Sequence, residues 1–533
     1  MSDHLKEPLK HVSSSPQGYW CLPVFMVAWG LLMLARLPQA LDFKMFAFYD
    51  AGAALKADAL LARGLRPTID FAYSYGLLPL ALGRGWFGLF GRTPLAYEWL
   101  TLAWGAIMVG GMARLARVWK WNWWQTGLGI LALPIALPTF YLNQTHVMEA
   151  ALLVHAIAFQ ARGRRTTALA LLTACLFVKP SLAYVYGLLL VSRIVLDHWV
   201  AVQSAESDRP SIPIPWWRDA WTALWPAALG GLILAIWLGL TFGGLPLWQT
   251  LLPLQAGASY RAAHFGFFFG VGRAFWVRPW PEYFNTIAGF WLAATLVMAA
   301  MAVATVVRWL PRLWRRRAPS RMAAPTISAS GLEAWLCLAA LHLTFIFVFY
   351  AWKDSWVYYS YLPVLGVVTS LGWIVAPVPG YLAAWRTWWR GLLPAGLAAL
   401  AISGQWTRVE GAYWAWHWRH APELAGLWTY DQLAEDFHKV RMATAGHKTF
   451  WLINGDLDEM CPGIQTGESW FLSPALPLPR EIAEVRRKIA EAQMVVRFRE
   501  LGDLDPWWWD DFAAARAAFG REENYGHFIL EYR

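Results

Sequence analysis

Asp50 stands about nine residues past an apolar run that closes at Leu41. A carboxylate there lies near the lipid headgroup level. It can cap a short helix over 51–63, closed by Gly64, or accept a proton from a bound substrate. The two readings are compatible, since a capping Asp can turn its other oxygen outward. Lys179-Pro180 ends a later apolar run. A charge at the centre of a span costs about 2.5–3.5 kcal/mol, and less near its end. Lys179 is therefore either a snorkelling side chain or a cation for a phosphate. Arg261, His264 and Arg273 are further cations, beside Phe265, Phe267, Phe268 and Phe269. That stretch reads as a phosphate contact next to lipid or as a surface anchor with basic flanks. Asp456-Leu457-Asp458 mimics a metal-binding D-x-D but lies in a turn-like polar segment. Asn143-Gln144-Thr145 matches a glycosylation sequon by pattern only. Cys21, Cys175, Cys337 and Cys461 form no CxxC or Cys/His ligand pattern, so no metal or cofactor is expected.

The elements that must hold these residues are set by composition. Of 533 residues, 58% are hydrophobic and only 15% charged. Soluble proteins carry roughly 25% charged residues. Mean hydropathy is +0.35, which also excludes disorder, because disorder needs low hydrophobicity. The chain reads as solvated largely by lipid, and its 38 Trp suit membrane interfaces. The net charge of +10 does not point to nucleic acid. The excess basic residues sit in short runs beside apolar segments, where they set topology.

About twenty apolar residues cross a bilayer as a helix. The first run, 19–41, is longer than a signal-peptide core and reads as an uncleaved anchor. Later runs lie near 95–117, 124–142, 146–161, 166–180, 182–196, 219–242, 284–309, 333–351, 357–377 and 388–404, about eleven in all. With residues 1–18 inside, the inner loops collect Arg114, Arg117 and Lys120, then Arg162, Arg164 and Arg165, then the cluster from Arg308 to Arg321. Residues 76–91 are apolar but short and contain Arg84, so they read as a helix lying at the outer interface. The chain thus divides into a membrane module over 19–404, with a first outer loop over 42–94, and an outer tail over 405–533. In the tail, 448–454, 494–498 and 527–531 read as strands and 479–492 as a helix with Pro at its start. The expected fold is a polytopic α-helical membrane protein with a small extracytoplasmic α/β domain.

The first outer loop resembles that of the GT-C fold membrane glycosyltransferases, enzymes that use polyprenyl-phosphate sugars. The shared pattern is an acidic residue soon after the first span (Asp50), then Gly64-x-x-Pro67-x-x-Asp70-Phe71, then Tyr75-Gly76 opening an interfacial helix. Leu89-Phe90-Gly91 before the next span is also similar. Asn143-Gln144-Thr145-His146 and Phe177-Val178-Lys179-Pro180 resemble elements of the polyprenol-phosphate-mannose-dependent mannosyltransferase branch. Tyr358-Tyr359-x-x-x-Pro363 resembles the entry to a late span in such enzymes.

The resemblance implies an inverting glycosyltransferase at the outer face of the cytoplasmic membrane. Asp50 would be the base, and Asp70 a second catalytic residue that orients the acceptor or the loop. Lys179, Arg261, His264 and Arg273 would bind the donor phosphate, and Tyr75, His146 and Tyr359 would position the acceptor or the loop. Its partners would be a polyprenyl-phosphate-linked sugar, membrane lipid and a glycan, lipid or protein acceptor. The rival expectations are a flippase or transporter for lipid-linked sugars, and a non-catalytic scaffold with an outer binding domain.

Overall fold

A computed structural model describes residues 21–42, 48–73, 75–119, 121, 123–131, 144–180, 183, 184, 187, 190, 216–252, 430–452, 479–498 and 514–533. The membrane module contributes α1 (Cys21–Asp42), α2 (Phe48–Ala62), α3 (Leu77–Phe90), α4 (Pro94–Val118), α5 (Trp123–Leu131), α6 (Gln144–Ala161), α7 (Arg165–Leu176), α8 (Trp216–Phe242) and α9 (Gly244–Leu251). The apolar runs expected from 19, 95, 146, 166 and 219 each appear as a helix at about those bounds.

Among the described residues, two helical stretches are long and apolar enough to cross a membrane, Pro94–Val118 and Ala220–Phe242. On α8, Trp217, Trp221, Leu232, Ile233, Ile236 and Leu240 face away from the other described elements. α3 has 14 residues, which at 1.5 Å per residue is about 21 Å, short of a bilayer core. Thr93 starts α4 by accepting a hydrogen bond from the Ala96 N–H at 3.1 Å, and Pro94 supplies the preset φ of the first turn.

α4 and α6 form the centre of the bundle. Met108, Val109, Met112 and Leu115 of α4 bury against Ala150, Ala151, Val154 and Ile157 of α6, with Phe25 and Trp29 of α1 in the same cluster. Small residues on α6 let the helices approach closely, the usual packing rule in membranes. The His155 ring bonds the Ile107 carbonyl at 2.9 Å across the same seam.

The tail contributes α10 (Tyr430–Ala443), β1 (Thr449–Leu452), α11 (Pro479–Glu491), β2 (Met494–Phe498), β3 (Arg521–Tyr525) and β4 (Phe528–Tyr532). The sheet order is β1-β2-β4-β3, with β1 parallel to β2 and the other pairs antiparallel. Strand alternation splits the two faces. Met494, Val496, Phe528 and Leu530 pack with Leu433, Phe437 and Val440 of α10. Val495 and Phe450 pack with Val485 and Ile489 of α11. The sheet therefore lies between two helices. β3 and β4 meet in a two-residue turn, Gly526-His527. Gly526 has φ 69°, and a Cβ there would run into the Asp436 carboxylate, so glycine is required on both counts. The strands and helix expected at 448–454, 479–492, 494–498 and 527–531 are present within a residue or two, while β3 and α10 have no counterpart in the sequence expectations.

Candidate functional site

Three of the expected site residues, from three distant parts of the sequence, meet at one end of the helical module. The connector after α7 runs through Phe177, Val178 and Lys179 to Pro180, which opens the next helical stretch. The start of α3 is laid directly on this connector. The Gly76 N–H donates to the Val178 carbonyl at 2.9 Å, and the Leu78 N–H to the Phe177 carbonyl at 3.0 Å. A Cβ on Gly76 would collide with the Phe177 carbonyl, so the Tyr-Gly element is needed for close backbone approach.

That approach sets Tyr75 beside Lys179. The Lys179 ammonium sits 6.0 Å from the centre of the Tyr75 ring and 3.3 Å from Nδ1 of His146. The Tyr75 and His146 rings meet edge to face at 5.7 Å and 86°. An ammonium has only protons to give, so Nδ1 accepts in this contact and the imidazole is neutral, with its proton on Nε2. Tyr73 stacks edge-on against Tyr75 at 6.0 Å, and burial pushes its phenol above the usual value, keeping it protonated.

Helix polarity adds to the charge. Gln144 begins α6, so His146 lies in its first turn; Leu77 begins α3; Pro180 opens the helix after Lys179. The starts of α3 and α6 thus lie beside the cluster, with the Gly76 and Leu78 N–H groups bonded to the Val178 and Phe177 carbonyls and the Gln144 N–H to the Tyr97 hydroxyl. A cation beside helix starts is a setting that can attract an anion.

α2 and the loop that follows it are fixed to this centre. Ala57, Leu60 and Leu61 of α2 and Phe71 of the loop share a buried cluster with Leu77, Met148, Phe177 and Val178. Asp70 works locally. Its carboxylate accepts the Arg66 N–H at 2.8 Å and the Arg66 guanidinium at 3.4 Å, while the Thr68 N–H closes on the Phe71 carbonyl at 2.8 Å. Asp70 thus staples the Gly-x-x-Pro-x-x-Asp-Phe turn. Gly64, with φ 82°, follows the end of α2.

α2 begins at Phe48, so Asp50 stands in its first turn and is not the cap expected from the sequence. The helix continues upstream of Asp50 by two residues, and an acid in a first turn still gains from the positive helix end. Asp50 lies ten residues before Leu60, which is about 15 Å along the axis. Its side chain lies outside the described residues, as do Arg261, His264, Arg273 and Tyr359.

Several buried polar residues have no place in the sequence expectations. Lys56 and Asp58 of α2, Glu98 of α4 and Glu149 of α6 are all buried. Asp58 lies 3.8 Å from Arg92. Glu149 is one turn beyond His146 on the same face of α6. The signal was available: a charge inside an apolar run is costly and marks function or a buried pair. Thr145 of the sequon pattern is buried in α6, and Asn143, its acceptor residue, lies outside the described residues.

No family model, curated protein or solved structure matches this chain.

Proposed function

We propose that the chain is an inverting, GT-C-like glycosyltransferase of the cytoplasmic membrane. It moves a sugar from a polyprenyl phosphate to an acceptor hydroxyl at the outer face. In this reading about eleven helices span the bilayer, the amino terminus is inside, and the tail domain is outside.

The observation that supports the reading is the meeting of Tyr75, His146 and Lys179 beside the starts of α3 and α6. A lipid-linked phosphate would sit on the ammonium, with its prenyl tail in the bilayer. Asp50 takes the proton of the acceptor hydroxyl. The acceptor oxygen then bonds to the anomeric carbon from the side opposite the phosphate. The bond from that carbon to the phosphate oxygen breaks, and its electron pair leaves with the phosphate. Lys179 and the helix ends stabilise the charge that grows on that oxygen, and preorganised stabilisation of this kind is often the largest catalytic term. Asp70 holds the loop, and Arg261, His264 and Arg273 are proposed as further phosphate contacts.

The test is turnover by purified wild type and Asp50→Asn with a pool of polyprenyl-phosphate sugars, followed by mass spectrometry. Transfer by wild type and none by the folded variant supports the reading. Equal transfer removes the base role from Asp50; Asp58, on the same helix, is then the next carboxylate to substitute. A second reading, a transporter for lipid-linked sugars, draws on the burial of Glu98 and Glu149 inside α4 and α6. Movement of the intact donor across vesicles, without sugar release, favours that reading instead.

A further inference from the structure

We infer that Tyr97 couples seating of the tail domain to the geometry of the His146–Lys179 pair. One buried cluster joins Leu55 of α2, Phe87 of α3 and Tyr97 of α4 to Phe437, Val496, Phe528 and Leu530 of the tail. Tyr97 is 1% exposed. Its hydroxyl accepts a hydrogen bond from the Gln144 N–H at 3.0 Å. Gln144 is the first residue of α6, and the first N–H groups of a helix have no acceptor within it. Tyr97 supplies that acceptor from another helix, two residues before His146. The Gln144 side chain also reaches the Pro79 carbonyl of α3 at 3.4 Å.

The Tyr97 backbone is itself held firmly. Its N–H donates to the Thr93 carbonyl at 3.1 Å, its carbonyl accepts from the Thr101 hydroxyl at 2.9 Å, and the adjacent Ala96 carbonyl accepts from the Trp86 indole at 2.7 Å. The ring and its hydroxyl lie in the buried cluster to which the tail domain also belongs. Lifting the tail lets water compete for the hydroxyl and for the Gln144 N–H. The first turn of α6 then loosens, and His146 loses its fixed distance to Lys179. A ligand that seats the tail therefore completes the anion site. This gives the acceptor side of the protein control over the donor side. The consequence for turnover rests on the catalytic reading above; the structural coupling does not.

Hydrogen exchange of the full chain in lipid nanodiscs tests the coupling without substrate. Tyr97→Phe keeps the ring and removes the acceptor. Leu55→Asp attacks the docking cluster from α2, and Leu55→Ala does so more mildly should the aspartate disturb the helical module. Limited proteolysis of the tail reports undocking. Exchange in the peptide covering 144–148 should rise about tenfold in Tyr97→Phe, the factor of an ordinary hydrogen bond. It should also rise in whichever Leu55 variant undocks the tail. Unchanged exchange in Tyr97→Phe overturns the proposal, and so does an undocked tail with an unchanged peptide. Should exchange respond while wild type transfers no sugar, the coupling stands and the glycosyltransferase reading fails. Where wild type is active, Tyr97→Phe should lower kcat with little change in KM for the acceptor.

Discussion

The tail domain and the end of the helical module that gathers Tyr75, His146 and Lys179 treat charge in different ways. Among the described residues of the tail, the buried acid Glu531 and the part-buried acids Asp436 and Glu523 each meet donors. Glu531 lies between Arg497, at 2.7 Å, and Arg516. Asp436 accepts both the ring and the backbone N–H of His527, at 2.7 and 3.1 Å. Glu523 accepts from the hydroxyls of Tyr525 and Tyr532 at 3.0 and 2.7 Å. At the helical site the ammonium of Lys179 meets the Tyr75 ring and the His146 ring, with the buried acid Glu149 one turn beyond His146 on α6. The first pattern ties strands and helices of the tail together. The second gathers a cation, an imidazole and aromatic rings from three separate stretches of chain, the setting on which the proposed donor site rests.

If that contrast is right, substitutions at the helical site change chemistry and leave the fold, and substitutions in the tail act on the fold first and reach the site only where they undock the tail. The largest effect is expected for Asp50→Asn, where loss of the base should lower kcat for sugar transfer by about 10²–10⁴. Lys179→Met should follow, with a loss of about 10²–10³ in kcat/KM and weaker donor binding. In both variants the thermal midpoint should stay close to that of wild type, and a large drop would mean a structural role.

Gly76→Ala crosses the two classes. Its methyl group meets the Phe177 carbonyl, so the loop must shift, at about 1–3 kcal/mol by analogy with overpacking. Lower thermal stability together with lower activity is the expected result, and an unchanged protein would mean that α3 is not laid on the connector. Glu531→Gln should destabilise only the tail, by about 1–3 kcal/mol, because two guanidinium groups keep a weaker acceptor. Proteolysis of the tail reads this, and donor binding should be unaffected as long as the tail stays docked.

The smallest effect is a pH dependence. Burial pushes the Asp436 and Glu531 carboxyls up, but the bonds from His527 to Asp436, and from Arg516 and Arg497 to Glu531, outweigh it and leave both below the usual carboxylate range. Their stabilisation is present above the unfolded value of about 4 and is lost as pH falls through the lower folded values. Tail protection should therefore hold from neutral pH to about 4 and fall below it. Loss of protection already at pH 6 would place the weakness elsewhere.

Much of this arrangement is legible in the chain. The end of α3 and the start of α4 follow from Gly91, Thr93 and Pro94, and Lys179 stands out by its place at the end of an apolar run, whereas Tyr75 and His146 are marked only by the family resemblance. Other parts are not. β3 reads Arg-Glu-Glu-Asn-Tyr, an edge strand whose charges hide it from any hydrophobic pattern while guarding the edge. The bond from Gln144 to Tyr97 crosses 47 residues, and no local rule anticipates it. Asp70 and Asp50 look alike in sequence, and only the local turn shows Asp70 tied to Arg66. Lys56 and Asp58 carry charges in a short Ala-rich helix, and their burial where that helix packs against α3 and α4 is a tertiary event.

Binding of a polyprenyl phosphate to the full chain in nanodiscs, compared between wild type and Lys179→Met by native mass spectrometry, tests the central claim most directly. The account predicts one bound lipid phosphate on wild type and a loss of at least about tenfold in affinity on substitution. Equal binding by the two proteins would contradict it.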